Sequence, residues 1–285
     1  MPDKIDAFES IFKSADKLSM VYDHIDVRSV LLVTDRNAAV SDQIRESAQR
    51  FLSVIEREKP SWETIGDESY QTVDDLIGLV KKHGPDLIVT YRHLHETHRR
   101  PRMSLGVFLD ELTQATTIPV LVLPTDEDGH LLDLPPSTTS VMVVTDHLTG
   151  DNELVDYGAR FTVAKGTLVL VHIEDDATFE TYLAEFEKIP DLETDLVRNL
   201  LRERLLKAPS EYVQSCIEVL RKAGLTIRVE SKVAFGHRIN DYEQLLNEHS
   251  VELLIFHTRE DTELAMGGMA YLMTARFTKT PLLLL

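Results

Sequence analysis

The segment SVLLVTD at Ser29–Asp35 returns as SVMVVTD at Ser140–Asp146, with five of seven positions identical at an offset of 111 residues. Two further matches follow in the same order. DLIVTYR from Asp86 answers ELLIFHT from Glu252, and LGVFLDELTQATTIPVLVL from Leu105 answers GGMAYLMTARFTKTPLLLL from Gly267. One coincidence between apolar strands would mean little, but three in register, with Pro119 and Pro281 each opening a final strand, specify a duplicated unit.

The matched segments are continuous apolar runs, as expected of parallel strands buried on both faces. Between them the apolar period becomes helical, as in Ile44, Ala48, Phe51 and Ile55, in Val73, Leu76, Ile77 and Val80, and in Val213, Ile217 and Leu220. Strands alternating with amphipathic helices predict an α/β chain of two tandem doubly wound parallel sheets. The first domain is expected over 27–124 and the second over 140–285, joined by a polar, proline-rich linker at 125–139. From Asp35 to Pro119 is 84 residues and from Asp146 to Pro281 is 135, so the first unit is 51 shorter and is expected to lack one strand and its crossover helix. Residues 1–26, with Ile5, Phe8, Phe12, Ala15 and Leu18 on one stripe, are expected to form a helical segment that covers the gap or docks a partner.

Composition narrows the function. The 30 basic and 48 acidic side chains leave a net charge of −18, which argues against nucleic acid or an anionic membrane as partner. A single cysteine, Cys216, can form neither an internal disulfide nor a thiolate metal cage, and reads as a filler on a helix face or a reactive thiol. No apolar run is long enough to span a bilayer and the first ten residues are polar, so a cytoplasmic protein is expected.

In open α/β sheets, ligands lie beyond the carboxyl ends of the strands. Those ends are Thr34-Asp35, Thr145-Asp146, and the loops after Val89 and after Phe256, the latter beginning at His257. A strand-end Asp can serve a ligand or cap the next turn. A strand ending in Asp, then a later strand, a loop, a glycine opening a helix and a final strand opened by proline resemble the universal stress protein family in tandem, over nearly the whole chain past Val27. The resemblance implies a Rossmann-like fold and, in the branch of that family that binds ATP, an Asp and a second-strand main-chain contact for adenine with a glycine-rich loop for the phosphates. Carried over, it implies Thr145, Asp146, Val171, His257, Gly268 and Met269 in the second half, and Asp35 and Gly106 in the first. Both closing glycines lie 13 residues before their proline. The earlier glycines are replaced by Tyr91 and Leu94 in one half and by His257 and Glu260 in the other, and the hydroxyl after the closing glycine by Val107 and Met269. The first half is further expected to lack the second-strand contact.

The loop from Tyr91 to Arg102 carries four arginines, Arg92, Arg99, Arg100 and Arg102, against one glutamate, a local +3 in an acidic chain. It is expected to grip a phosphate, an acidic partner or the acidic second half, or to be a solvated loop. Its His95 and His98 are too few for a metal site. The corresponding loop of the second half, HTREDTE, has a net charge of −2 and would repel a triphosphate by roughly 0.7 kcal/mol per charge pair at about 6 Å in water. No GxSxG elbow, P-loop, HExxH or Cys/His pair occurs, so no catalytic residue is assigned.

These readings point to a non-enzymatic stress or regulatory protein that binds a small ligand or a protein partner, without a required cofactor. The alternative is an ATP- or AMP-binding member of the family, or an adenine-nucleotide-using enzyme of the same superfamily. The uncharged final strands PVLVLP and PLLLLL are expected to pair, making the halves an intramolecular pseudo-dimer, and a homodimer remains open. The helical region from Phe179 to Ala208 is expected to lie over the second half's ligand mouth, to pack on the first half, or to form a surface hairpin.

Overall fold

The computed structural model describes residues 19–96, 104–126, 129–145, 148–186, 194–258 and 266–285. The first half runs β1 (Ser29–Val33), α1 (Ala38–Phe51), α2 (Ser53–Glu56), β2 (Ser61–Ile65), α3 (Val73–His83), β3 (Leu87–Tyr91), α4 (Val107–Ala115) and β4 (Val120–Leu123). The second runs β5 (Ser140–Val144), α5 (Asn152–Phe161), β6 (Thr167–Asp175), α6 (Asp176–Phe186), α7 (Thr194–Lys222), β7 (Arg228–Gly236), α8 (Arg238–Glu248), β8 (Leu253–Phe256), α9 (Gly268–Arg276) and β9 (Leu282–Leu284).

All nine strands among the described residues form one sheet in the order β2-β1-β3-β4-β9-β8-β5-β6-β7. Every pairing is parallel except the central one, where β4 runs antiparallel to β9 with Leu121 opposite Leu283. Each of these strands carries apolar side chains only, and each would otherwise be an unprotected edge. Paired, both are buried on both faces, and each side chain contributes up to about 1.5–3 kcal/mol of burial.

The helices form where periodicity predicts them and are closed by local signals. Asn37 accepts the Val40 N–H to start α1, whose Ile44, Ala48 and Phe51 face the core. Thr72 and Asp75 make a reciprocal capping box for α3, which ends at Gly84 in the left-handed region. Gly158 lets α5 approach the sheet closely, since a Cβ there would lie 2.6 Å from Val143 Cγ2.

Two expectations are corrected. The first half does have a strand beside β1: β2 pairs with it in parallel, setting Ile65 opposite Val33 as Val171 stands opposite Val144. The strand without a counterpart is the outermost one, β7, together with its crossover helix α7. SWETI is mostly exposed up to the buried Ile65, as an edge strand is, and so lacks the apolar run that marks β6.

The second correction concerns the N-terminal segment. Residues 19–28 are in neither helix nor strand and form a strap. It is held by Met20 N–H to Ser215 Oγ (2.9 Å), Val21 N–H to Asn152 Oδ1 (3.3 Å) and Asp23 N–H to Asp156 Oδ2 (3.1 Å). All three acceptors belong to the second half, so the strap crosses it before entering β1. The stripe from Ile5 to Leu18 lies outside the described residues.

The helices α6 and α7 pack on the second half. Phe179 and Phe235 meet with ring centroids 4.9 Å apart, and the Arg202 guanidinium lies 4.0 Å above the Phe235 ring. Because Phe235 stands near the end of β7, the pair sits on the carboxyl edge of this half of the sheet.

Candidate functional site

The carboxyl edge of the first half is filled by its own side chains. Asp35 follows β1, and its Oδ1 accepts the Tyr91 hydroxyl at 2.5 Å while its Oδ2 accepts the His95 N–H at 3.0 Å. Arg36 Nε is a further 3.4 Å from Oδ1, and its guanidinium lies 5.9 Å from the centre of the Tyr91 ring. Tyr91 is the last residue of β3, so its hydroxyl also meets the end of β1, at Thr34 Oγ1 (2.8 Å) and the Asp35 N–H (3.0 Å). Burial and the neighbouring Asp35 carboxylate push the phenol up to about 12. Tyr70 is likewise raised, mainly by burial and then by Asp35.

His95 completes the closure through its backbone. Its φ of 57° is the left-handed conformation that turns its N–H toward Asp35. Its ring packs edge-on to Tyr70 at 4.7 Å and lies 5.1 Å from Phe108, while Nδ1 faces Asp67 Oδ1 at 3.2 Å.

The start of α4, where the resemblance implies phosphates, is filled too. Glu96 Oε1 accepts the Val107 N–H at 2.8 Å, and Glu96 Oε2 pairs with His93 Nδ1 at 2.8 Å. A helix N-terminus presents unpaired N–H groups to an anion, and at α4 that anion is a protein carboxylate. Gly106, at φ 86°, is needed for close approach, because a Cβ would sit 2.8 Å from His93 Cα.

Arg92 is not the solvated residue its loop suggests. It is 3% exposed, and neither Nε nor Nη1 has a hydrogen-bond partner among the described residues. Burial pushes the guanidinium down to about 10, opposed by the charge of Asp110. Thr90 Oγ1, two residues earlier on β3, is also buried without a partner. Arg99, Arg100, Arg102 and His98 lie outside the described residues.

The second half is built differently at matching positions. Asp146 lies outside the described residues, while Thr145 is half-buried just beyond β5. Val171 is buried on β6 beside Val144. His257 occupies the place that Tyr91 holds in the repeat, but its Nε2 turns to Asp151, 3.1 Å away, which caps α5 by accepting the Leu154 N–H. Thr258, at the place of Arg92, is bonded through N–H and hydroxyl to the Leu285 carbonyl, both at 2.9 Å. Gly268 opens α9 with Met269 next, and no described atom lies within 4 Å of the position a Cβ would take on Gly268. One half is therefore closed by Tyr91, His95 and Glu96, and among the described residues the other has no such plug. Tyr91 was visible in sequence as the residue replacing a glycine; His95 and Glu96 act through backbone conformation and reach, which composition does not reveal.

No protein-family model and no curated protein matches the chain by sequence. Among solved structures, a protein of unknown function from Pseudomonas aeruginosa PAO1 is similar over 91% of this chain and 92% of its own, at 12% identity and a TM-score of 0.50. A chain from Pseudomonas aeruginosa UCBPP-PA14, provisionally named a universal stress protein, is similar over 91% of this chain and 93% of its own, at 13% identity and a TM-score of 0.51. The chain therefore shares its α/β fold with these two proteins along nearly its whole length.

Proposed function

We propose that the protein is a universal-stress-type regulator of the cytoplasm that acts by binding a ligand or partner and does not turn over nucleotide. The observation that carries this reading is the Asp35 carboxylate, whose two oxygens are held by Tyr91 and His95. A carboxylate spent on internal donors is unavailable to an adenine. Glu96 at the start of α4 adds to this, since a phosphate would have to displace a bonded carboxylate. The likeness to the Pseudomonas aeruginosa chain named a universal stress protein supports the family at the level of fold. No helix among the described residues is long and apolar enough to cross a membrane.

In place of nucleotide, the first half offers an anion site at Arg92, whose buried Nε and Nη1, unpartnered among the described residues, call for a counter-charge. The space that the described atoms leave at Gly268 and the framing Val171 favour a second reading, a nucleotide in the second half. Mass spectrometry of small molecules released from the purified chain, with Mg-ATP titration calorimetry, separates the two. The expected result is no co-purified nucleotide and no tight binding. A dissociation constant in the low micromolar range, lost on Asp146→Ala, would establish the second reading instead.

A further inference from the structure

The strap and the turn after α2 bring together three residues that no part of the proposed function uses. His24 and Asp26 are both exposed on the strap and both lie beside the exposed Glu58. Glu58 stands in the tight turn that leads from α2 to β2, bonded through its N–H to the Ile55 carbonyl at 3.0 Å. His24 Nε2 is 3.6 Å from Asp26 Oδ1 and 3.6 Å from Glu58 Oε1, and the three ligand atoms lie within 4.8 Å of one another.

These spacings are too long for hydrogen bonds. They fit ligands of one metal ion: zinc holds nitrogen and oxygen at about 2.0–2.2 Å, which puts neighbouring ligand atoms of a tetrahedron roughly 3.3–3.5 Å apart. A movement of a few tenths of an ångström would bring Nε2 and either oxygen to that spacing, with a somewhat larger one between the carboxylates.

Two of the three ligands are oriented from behind. Arg160 Nη2 meets Glu58 Oε2 at 2.8 Å, leaving Oε1 to face His24. The Tyr22 hydroxyl lies 3.5 Å from His24 Nδ1, leaving Nε2 to face the carboxylates. Metal-binding imidazoles and carboxylates are held in this way by partners at their other atoms. Arg160 is itself anchored through Nε to the Ile25 carbonyl at 2.8 Å, so the guanidinium that is ion-paired with Glu58 is bonded to the strap.

We propose that His24, Asp26 and Glu58 form a binding site for zinc or a similar late first-row divalent cation, which pins the N-terminal strap to the first half. An imidazole with two carboxylates suits such ions over magnesium or calcium, which take oxygen ligands. The two facing carboxylates and the chain's net charge of −18 both favour a cation here. A site made by a strap and a turn exists only in the folded chain, so occupancy raises stability.

The test uses the full chain, treated with chelator and titrated with zinc chloride by calorimetry and by thermal melting. One zinc ion per chain should bind saturably and raise the melting temperature, and magnesium should do neither. His24→Ala and Asp26→Asn should each weaken zinc binding about tenfold or more and abolish the zinc-dependent rise, with zinc-free melting unchanged because both side chains are exposed. His130→Ala removes an exposed histidine beside Asp126, far along the chain, and should bind zinc as the parent does. No saturable zinc in the parent, an equal rise with magnesium, or a loss smaller than tenfold in His24→Ala would overturn the proposal.

Discussion

The Tyr91 hydroxyl donates to the Asp35 carboxylate and accepts from the Asp35 main-chain N–H, so the end of β3 is bonded to the end of β1 by one oxygen atom. Thr34 Oγ1 makes a third contact to the same hydroxyl and in turn accepts the Arg36 N–H at 3.0 Å. Removing the oxygen leaves several groups at this edge short of a partner.

Tyr91→Phe therefore keeps the ring packing and loses the network. We expect it to destabilise the protein by about 1–3 kcal/mol, the cost of leaving buried polar groups unsatisfied, with an unchanged m-value in urea unfolding. A loss below a few tenths of a kcal/mol would mean that water replaces the hydroxyl and that this edge is open.

A pH dependence follows from Asp156 on α5, which is 3% exposed and is pushed up to about 7, mainly by burial. Its Oδ2 accepts the Asp23 N–H of the strap, which favours the charged form, while the charges of Asp23 and Glu153 disfavour it. Tyr22, Arg160, Tyr212 and Cys216 complete its titratable surroundings. A carboxyl whose folded pKa is raised gives stability that is present below its unfolded value near 4 and is lost as pH rises through 7, at up to about 1.4 kcal/mol per pH unit. Asp156→Asn keeps an acceptor for Asp23 and cannot ionise. It should flatten the fall in stability between pH 4 and 7 and be more stable than the parent at pH 8, as measured by denaturant unfolding at each pH.

The repeat made much of the fold legible. Near-identical strand-1 segments, the final prolines and the uncharged last strands point to two linked α/β units, and the central β4–β9 pairing joins them. What the sequence hid had local causes. SWETI looked unlike a core strand because β2 is an edge, and the course of residues 19–28 was not legible because their bonds go to Ser215, Asn152 and Asp156, all remote in sequence. At the site, the strand-1 Asp and closing Gly106 were readable as positions. Their closure was not, because it depends on the left-handed backbone of His95 and on Glu96 reaching Val107.

The antiparallel β4–β9 seam predicts how the chain fails when cut. A fragment of residues 19–124 would expose the apolar edge Val120–Leu123 and should dimerise or aggregate, as read by light scattering after gel filtration. A well-folded monomer at high concentration would count against the seam as the main joint. In the full chain, cysteines placed at 121 and 283 should oxidise to a crosslink, since these residues are direct partners, whereas a pair at 121 and 285 should not.

Arg92 separates an anion site from a structural oddity. Its guanidinium is buried with Nε and Nη1 unpartnered among the described residues, and Asp110 is its electrostatic neighbour without forming an ion pair with it. A buried charge held this way costs several kcal/mol, so an apolar side chain of similar length should be tolerated or preferred. Arg92→Met is therefore expected to be as stable as the parent or more so in a buffer free of phosphate and sulfate. Adding inorganic phosphate should then stabilise the parent and not the variant, because a ligand that binds only the folded state raises its stability by mass action. The two unfolding curves should approach each other or cross as phosphate rises, and adenosine should leave both unmoved, since the site reads charge and not base. Equal phosphate dependence in the two proteins would remove Arg92 from any anion site. A large loss of stability in Arg92→Met without phosphate would show that the guanidinium is already paired within the fold.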